Sequence, residues 1–492
     1  MKTKYTAINI GPILSTFALV RKPAELWAAS YIFSYLMKCI IDEIPSERII
    51  SPARLPKDAD KTIGLYPDRL FVKGEVQQKV LDDALMRFAA TINFEIPLAK
   101  EYFNIMRVTI EVEENTEEDK KKIIPKLNRL LDRMELCNLH VNEEAREAVW
   151  QYLTKKKDYL SNVTKKKLRN PSIETIASIN IFKKENETED KETPENIKDK
   201  SDKYICIVQA DGDNMGKAIS NLPMADISTL SEKLLKFGQQ SCELIRKDGG
   251  LPIYAGGDDL LFMVPVSSTQ GTIYDLITEI DDEYKPVQEY IKEKNENKIT
   301  TSMSYGISMT YGKFPLYEAL AAAQKLLFNT AKNVSGKNAL AWMLQKHSGS
   351  SFKATFSKEN EKLYAAFKTV IAKTEDDQLV SAVAHKLRSN TGLLSLWLGE
   401  ENADKLKMRL DNFFEKIIDV ETKNEANRQY INSVKVLLKE TYAVADQLCT
   451  KNDSKEEMSN LEKMEKVIDY VYGMLRTAKF IKGKEEDKWQ NI

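Results

Sequence analysis

The sequence predicts an α+β protein built from two ferredoxin-like units with helical regions attached. Three observations carry this. A β-α-β-β-α-β succession runs over residues 1–112, the same succession returns over 204–348, and from 349 to 492 the apolar spacing is helical throughout. The duplication is one of architecture, with no convincing residue-level repeat.

In the first unit, residues 5–10 read as a strand ended by Gly11-Pro12, and 24–41 as a helix so apolar that most of its faces must be buried. Short strands follow near 48–51 and 69–72, then a helix over 76–90 and a strong strand over 105–112. Residues 113–182 are charged and helical, with Lys155-Lys156-Lys157 and Lys165-Lys166-Lys167-Leu168-Arg169 making them locally basic. Solvated helix faces account for those runs more simply than a phosphate-contacting patch does. Residues 183–203 have almost no apolar side chains and read as a disordered linker.

The second unit opens on a buried strand at 204–210 and a helix over 227–246 that stops at Gly249-Gly250. Two apolar runs, 251–255 and 260–264, form a hairpin around Gly256-Gly257-Asp258-Asp259. A helix over 272–293, a strand over 300–310, a helix begun by Pro315 and a last strand over 338–345 complete it. Beyond 350 everything reads helical; Ser454-x-x-Glu457 looks like a capping box ahead of an apolar face at Met458, Leu461, Met464, Val467, Ile468, Val471 and Leu475. That region is expected to be a C-terminal helical bundle.

At 492 residues the chain has material for about three domains of ~150 residues each. A formal net charge of −1 leaves any nucleic-acid contact to local patches. Five scattered cysteines (Cys39, Cys137, Cys206, Cys242, Cys449), with no CxxC pair, suit reduced and mostly buried thiols rather than a zinc ribbon or disulfide framework. The three histidines, His140, His347 and His385, none followed by Asp, leave little for a His-Asp phosphohydrolase or a Ser-His-Asp hydrolase. The N-terminus imitates a signal peptide only faintly, since Arg21-Lys22-Pro23 stands where a cleavage site would be. The apolar run 26–37 is too short to span a membrane, so a cytoplasmic location is expected.

The chemistry centres on the hairpin tip. Two adjacent carboxylates, Asp258 and Asp259, repel each other at the mouth of an apolar hairpin, and a divalent cation would offset that repulsion. The first strand of the same unit ends in Asp211-Gly212-Asp213-Asn214-Met215-Gly216-Lys217. In a β-α-β-β fold that strand lies beside the hairpin, so Asp211 joins Asp258 and Asp259. Three converging carboxylates are what one or two metal ions bridging nucleotide phosphates require. Asp-Gly alone also makes plain turns, and it is the pairing with Gly-Gly-Asp-Asp in this topological order that points to a site. The turn after Asp211 is expected to leave backbone N–H groups free for phosphate oxygens. Positive charge would come from Lys337 first and Lys332 second, in Lys332-Asn333-Val334-Ser335-Gly336-Lys337-Asn338; Lys332 also suits a helix C-terminus.

These motifs resemble the nucleotidyl-cyclase/polymerase palm of the large subunit of type III CRISPR effector complexes. The opening Ile10-Gly11-Pro12-Ile13 and the run Arg21-Lys22-Pro23-Ala24-Glu25-Leu26-Trp27-Ala28-Ala29-Ser30 are similar to the Cmr-type (III-B) branch. Diguanylate cyclases share the hairpin but not this N-terminal signature. The resemblance implies an RNA-activated enzyme that makes cyclic oligoadenylate from ATP, with Asp211, Asp258 and Asp259 holding Mg²⁺ or Mn²⁺. It places Gly212, Asp213, Asn214, Gly256, Gly257, Lys332 and Lys337 on the nucleotide. The first palm, with Asn9-Ile10-Gly11 where the Asp cluster would be, is expected to be catalytically dead and to help bind the acceptor through Ser30.

Implied partners are the other Cmr-type subunits, guide RNA and target RNA, with no membrane. The chain lacks a His-Asp nuclease motif and the cysteines for the zinc that many relatives carry, so neither DNase activity nor zinc is expected. Some relatives are thought to adenylylate S-adenosylmethionine instead, and the three carboxylates suit either acceptor. A non-catalytic scaffold and a free-standing dinucleotide cyclase are the other readings.

Overall fold

The computed structural model describes residues 2–56, 59–114, 116–137, 142–164, 176, 203–296, 298–374, 377–397, 403–416, 425–445 and 458–482. Both ferredoxin-like units are present. In the first, β1 (Lys2–Gly11), β2 (Ile49–Ser51), β3 (Arg69–Lys73) and β4 (Asn104–Glu113) form an antiparallel sheet in the order β2-β3-β1-β4. Helices α1 (Pro23–Asp42) and α2 (Gln78–Ile92) supply the two crossovers. The expected linker and the basic run 165–169 lie outside the described residues.

The second sheet contains β5 (Tyr204–Gly212), β6 (Leu251–Gly256), β7 (Asp259–Pro265), β8 (Met303–Tyr311), β9 (Ala339–Gln345) and β10 (Ser351–Ser357), ordered β10-β9-β8-β5-β7-β6. Its β8-β5-β7-β6 portion repeats the strand order of the first sheet. The short helix α3 (Met215–Asn221) and the helices α4 (Met224–Lys247) and α5 (Ile273–Lys294) belong to this unit. Helix α6 (Leu316–Asn329) carries the crossover that sets β9 parallel to β8. Gly306 of β8 lets α6 approach closely, because a Cβ there would overlap the backbone of Ala323 and Leu327.

One strand was not expected. Residues 351–357, read from sequence as the start of a helical region, form β10, which pairs antiparallel with β9 and carries the second sheet past residue 348. The segment Ser-Phe-Lys-Ala-Thr-Phe-Ser alternates, and Ala354 and Phe356 point into the core. The cap of the last helix is also displaced. Residues 446–457 are not described, and the helix Asn460–Ile481 is capped by Ser459 with Glu462: the Ser459 N–H donates to Glu462 Oε2 at 2.9 Å, and Ser459 Oγ accepts from Glu462 N at 3.3 Å. Of the expected apolar face, Met464, Val467, Ile468, Val471 and Leu475 are buried, whereas Leu461 is exposed and Met458 only partly buried. Among the described residues no helix is long and apolar enough to cross a membrane, and Cys39, Cys206 and Cys242 are free and buried.

The two palms share a core, which explains why β5 is buried on both faces. Cys206, Val208 and Ala210 pack with α4 and α5 residues such as Phe237 and Ile277. Ile205 and Ile207 face the other way, into a core with Leu26, Trp27 and Ile32 of α1. Helix α1 is therefore clasped between the sheets, with 17 of its 20 residues buried. Hydrogen bonds stitch the same seam: Ala53 N donates to Ser231 Oγ at 2.7 Å, and Ala255 N, one residue before the Gly-Gly turn, donates to Gly64 O at 3.1 Å.

Candidate active site

The sheet register brings the motifs together. β5 pairs with β7 through Ala210↔Leu260 and with β8 through Asp211↔Ser304, so the end of β5 meets the β6–β7 hairpin tip. The hairpin closes at Gly256↔Asp259. Gly257 takes a left-handed φ of 67°, which a side chain would strain, while at Gly256 a Cβ would collide with the Tyr254 ring. The two glycines shape the turn and line neither of the cavities described below.

Asp211, Asp258 and Asp259 cluster as expected. Burial first, and the charge of Asp211 second, push the Asp258 carboxyl up to about 7. Asp259 keeps solvent contact, but protein surrounds the cleft it opens into. That surrounding protein raises its carboxyl well above the usual range, with the charges of Asp258, Asp211 and Asp68 adding to the effect. The cluster holds more negative charge than its neighbours compensate.

Lys332 supplies the nearest compensation. Its ammonium pairs with Asp211 Oδ1, lies 2.9 Å from Asp213 Oδ1, and donates to the carbonyls of Asp211 at 2.9 Å and Gly212 at 2.8 Å. Burial works against its charge, but Asp211 and Asp213 overcome this and hold the amine above its ordinary value. With four carbonyl and carboxylate partners, Lys332 acts as an internal counter-ion. Lys337 sits in a run of left-handed residues, Gly336, Lys337 and Asn338, that turns the chain onto β9. It lines a cavity beside Lys217.

Asp213 is turned inward. It is fully buried, and its Oδ2 accepts from Ser302 Oγ at 2.7 Å, Ser304 Oγ at 2.8 Å and Asn338 N at 2.9 Å. It locks the β5 turn to β8 and to the 332–338 return. The turn's N–H groups are not free at its first two positions: Gly212 N donates to Asp258 O at 3.2 Å and Asp213 N to Ser302 O at 2.7 Å. Asn214, at φ 59°, starts α3, and its Nδ2 donates to Thr300 O at 3.3 Å.

Two cavities meet at the cluster. One, of about 560 Å³, is lined by Asp211, Asp258, Lys217, Lys332, Lys337 and residues Gly212, Asn214, Met215 and Gly216 of the turn, with Phe328. The other, of about 530 Å³, lies between the palms: Asp211, Asp259 and Tyr254 border it from the second palm, and Ser30, Ser34 and Asp68 from the first, with Glu135. Ser30 is nine-tenths buried, with an Oγ that has no hydrogen-bond partner.

Sequence reasoning missed Ser302 and Ser304, although hydroxyls two apart at the start of a buried strand are a usable signal. It also missed Asp68 and Glu135, which no motif marks and only tertiary packing assembles. Among the described residues no group of three His, Cys, Asp or Glu side chains is arranged to hold a metal ion, and Lys332 pairs with both Asp211 and Asp213. The donor set nonetheless suits a hard divalent cation: carboxylate oxygens, in excess of positive charge, with the proton affinities of Asp258 and Asp259 raised.

Fold and site define a double-palm protein of the nucleotidyl-cyclase and polymerase kind. The family described as Cas10/Cmr2, second palm domain, matches residues 204–341, and CRISPR-associated protein Cmr2, N-terminal, matches 5–125. The chain belongs to the Cas10/Cmr2 family, in its Cmr-type branch. It is similar to the CRISPR system Cmr subunit Cmr2 of Pyrococcus furiosus, 34% identical over 178 residues, a stretch that is 30% of this chain and 19% of that relative. In fold it is similar to a chain of the type III-B Cmr-beta complex in its apo state, with a TM-score of 0.62 at 12% identity, covering 99% of this chain and 82% of that one. A Csm1–Csm4 cassette in complex with pppApA gives a TM-score of 0.52 at 12% identity, covering 89% and 69%. The same cassette in complex with cA4 gives 0.51 at 13%, covering 90% and 70%.

Proposed function

We propose that the chain is a target-RNA-activated nucleotidyltransferase of a type III-B CRISPR complex, making a cyclic oligoadenylate from ATP. The observation that carries this is the meeting of Asp211, Asp258 and Asp259 at the junction of two nucleotide-sized cavities, one lysine-lined and one shared by both palms. Donor ATP would occupy the first, its triphosphate against Lys217 and Lys337. The acceptor would occupy the second, its ribose near Ser30. The acceptor 3′-oxygen forms a bond to the donor α-phosphorus, the bond from that phosphorus to the β-phosphate bridging oxygen breaks, and pyrophosphate leaves. The hydroxyl proton passes to the carboxylate cluster, where Asp259 opens into the acceptor cavity.

Asp211, Asp258 and Asp259 would hold Mg²⁺ or Mn²⁺, which when bound stabilises the charge on the attacking and leaving oxygens. Lys332 then has a second role, holding Asp211 and Asp213 in place while the cluster is otherwise uncompensated. Similar folds found with pppApA and cA4 support an adenylate substrate and product. The other Cmr-type subunits, guide RNA and target RNA are the partners this reading requires, and the cytoplasm its location.

A specific observation favours a second acceptor. Asp68 and Glu135 border the inter-palm cavity without a basic side chain among its lining residues, although Arg69, outside that lining, lies 3.6 Å from Glu135. Such a lining favours a cationic molecule, and S-adenosylmethionine carries both a sulfonium and an ammonium group. Incubating the complex assembled on guide and target RNA with labelled ATP, with and without S-adenosylmethionine, and weighing the products tests both acceptors. Oligoadenylate in both arms supports the first. A product heavier by the methionine-bearing nucleoside supports the second. No product in either arm contradicts the enzymatic reading.

A further inference from the structure

We infer that Phe328 is the surface on which a nucleobase stacks at the junction of the two cavities, closed from the first palm by Leu14. The inference rests on the nucleotide reading above and names the side chains that hold the base. Of all lining residues, only Asp211 and Phe328 border both cavities. Phe328 is 42% exposed although it belongs to a helix with a well-made core face. Leu316, Ala319, Ala323 and Leu327 provide that face, and all four are buried. The ring of Phe328 is thus surplus to the packing of α6. Among the described residues no aromatic ring or cation stacks on it, whereas Trp342, Phe356 and Phe367 of the interior are each in contact with other rings.

Its location gives the ring a partner of definite chemistry. Phe328 stands four residues before Lys332, whose ammonium is bonded to Asp211. α6 ends at Asn329, between Phe328 and Lys332, and ring, ammonium and the Asp211 carboxylate all line the same cavity of about 560 Å³. On one side the cavity offers Lys217 and Lys337 for phosphate and the apolar Met215 beside them. On the other side Leu14, 72% exposed in the short helix Ile13–Phe17 that follows β1, lines the inter-palm cavity with Phe328. An exposed ring flanked by apolar side chains, with Lys217 and Lys337 lining the same cavity, fits the flat apolar face of a purine. Stacking does not read hydrogen-bonding edges, so Phe328 would hold the base in place and leave the choice of base to polar groups.

The test uses the full-length chain and a fluorescent purine, 2-aminopurine riboside triphosphate, whose emission is quenched on stacking. Binding is measured with Mg²⁺ beside a titration of inorganic tripolyphosphate. The wild-type protein should bind and quench the probe. Phe328→Ala should abolish the quenching and weaken probe binding about tenfold or more, the scale of one base stack, while tripolyphosphate binds as before. Phe328→Trp should restore both quenching and affinity. Unchanged quenching and affinity in Phe328→Ala would overturn the inference, as would an equal loss of tripolyphosphate binding, which would make the ring a structural part of the site. If the wild-type protein binds neither probe nor tripolyphosphate, the nucleotide reading itself fails and the inference falls with it.

Discussion

Replacing Gly212 with Ala is the most revealing small change the site offers. Gly212 follows Asp211 at the end of β5, and its N–H donates to the Asp258 carbonyl, so the two strands touch there. A Cβ at this position would overlap Asp258 Oδ2 and lie 2.8 Å from the Asp258 Cβ and 3.0 Å from its Cγ. Ordinary carbon contacts are about 3.5–4.0 Å, so the carboxylate must retreat by roughly 0.5–1 Å. Asp258 is at a hairpin tip and can move, which puts the folding cost at the low end of the ~1–3 kcal/mol typical of overpacking. A carboxylate misplaced by about 1 Å in a site that aligns two reactants costs on the order of 100-fold in rate. The assay is adenylate product formation against Mg²⁺ concentration in the RNA-bound complex, beside a thermal melt of the isolated chain. The expected result is a turnover loss of about two orders of magnitude with a melting temperature lowered by no more than about 4 °C. A Gly212→Ala protein with wild-type turnover would refute the argument that Asp258 is held in a catalytic position by this contact.

Further outcomes follow from the same geometry. Ser304→Ala removes a hydrogen bond to the buried carboxylate of Asp213, and denaturant unfolding should show a loss of about 1.5–3 kcal/mol. The raised carboxyl of Asp258 makes the metal-free protein sensitive to pH. An unfolded Asp releases its proton near 4, whereas folded Asp258 keeps it until about 7, so stability falls as pH rises through that window and levels off above it. Melting temperatures across that range should show this decline in EDTA and a weaker one in Mg²⁺; identical profiles would argue against a cation at the cluster. Gly306→Val drives a side chain into the backbone of α6, and the protein should lose its cooperative melt or shift it sharply downward.

Much of this architecture was legible because it rests on local patterns. The alternation at 204–210, the Gly-Gly turn and the helical spacing of 227–246 each select their element, and their order selects the strand pairing that unites Asp211 with Asp258 and Asp259. β10 was legible too, in the alternation of Phe352, Ala354 and Phe356, but a preceding turn and a helical region beyond masked it. The face-to-face packing of the palms was not, because a strand buried on both sides says nothing of which element covers it. Nor was the inward turn of Asp213: an Asp in an Asp-Gly-Asp turn looks the same whether it faces solvent or two serines of a neighbouring strand. Lys332 and Lys337 were found as a pair, and only the structure separates them, Lys332 bonded to the carboxylates and Lys337 lining the cavity.

If the carboxylate cluster performs nucleotidyl transfer, removing the hairpin carboxylates abolishes it. The complex carrying Asp258→Ala/Asp259→Ala, assembled with guide and target RNA and supplied with labelled ATP and Mg²⁺, should bind its target as the unaltered complex does and release no adenylate product. Product formed at the unaltered rate would contradict the account.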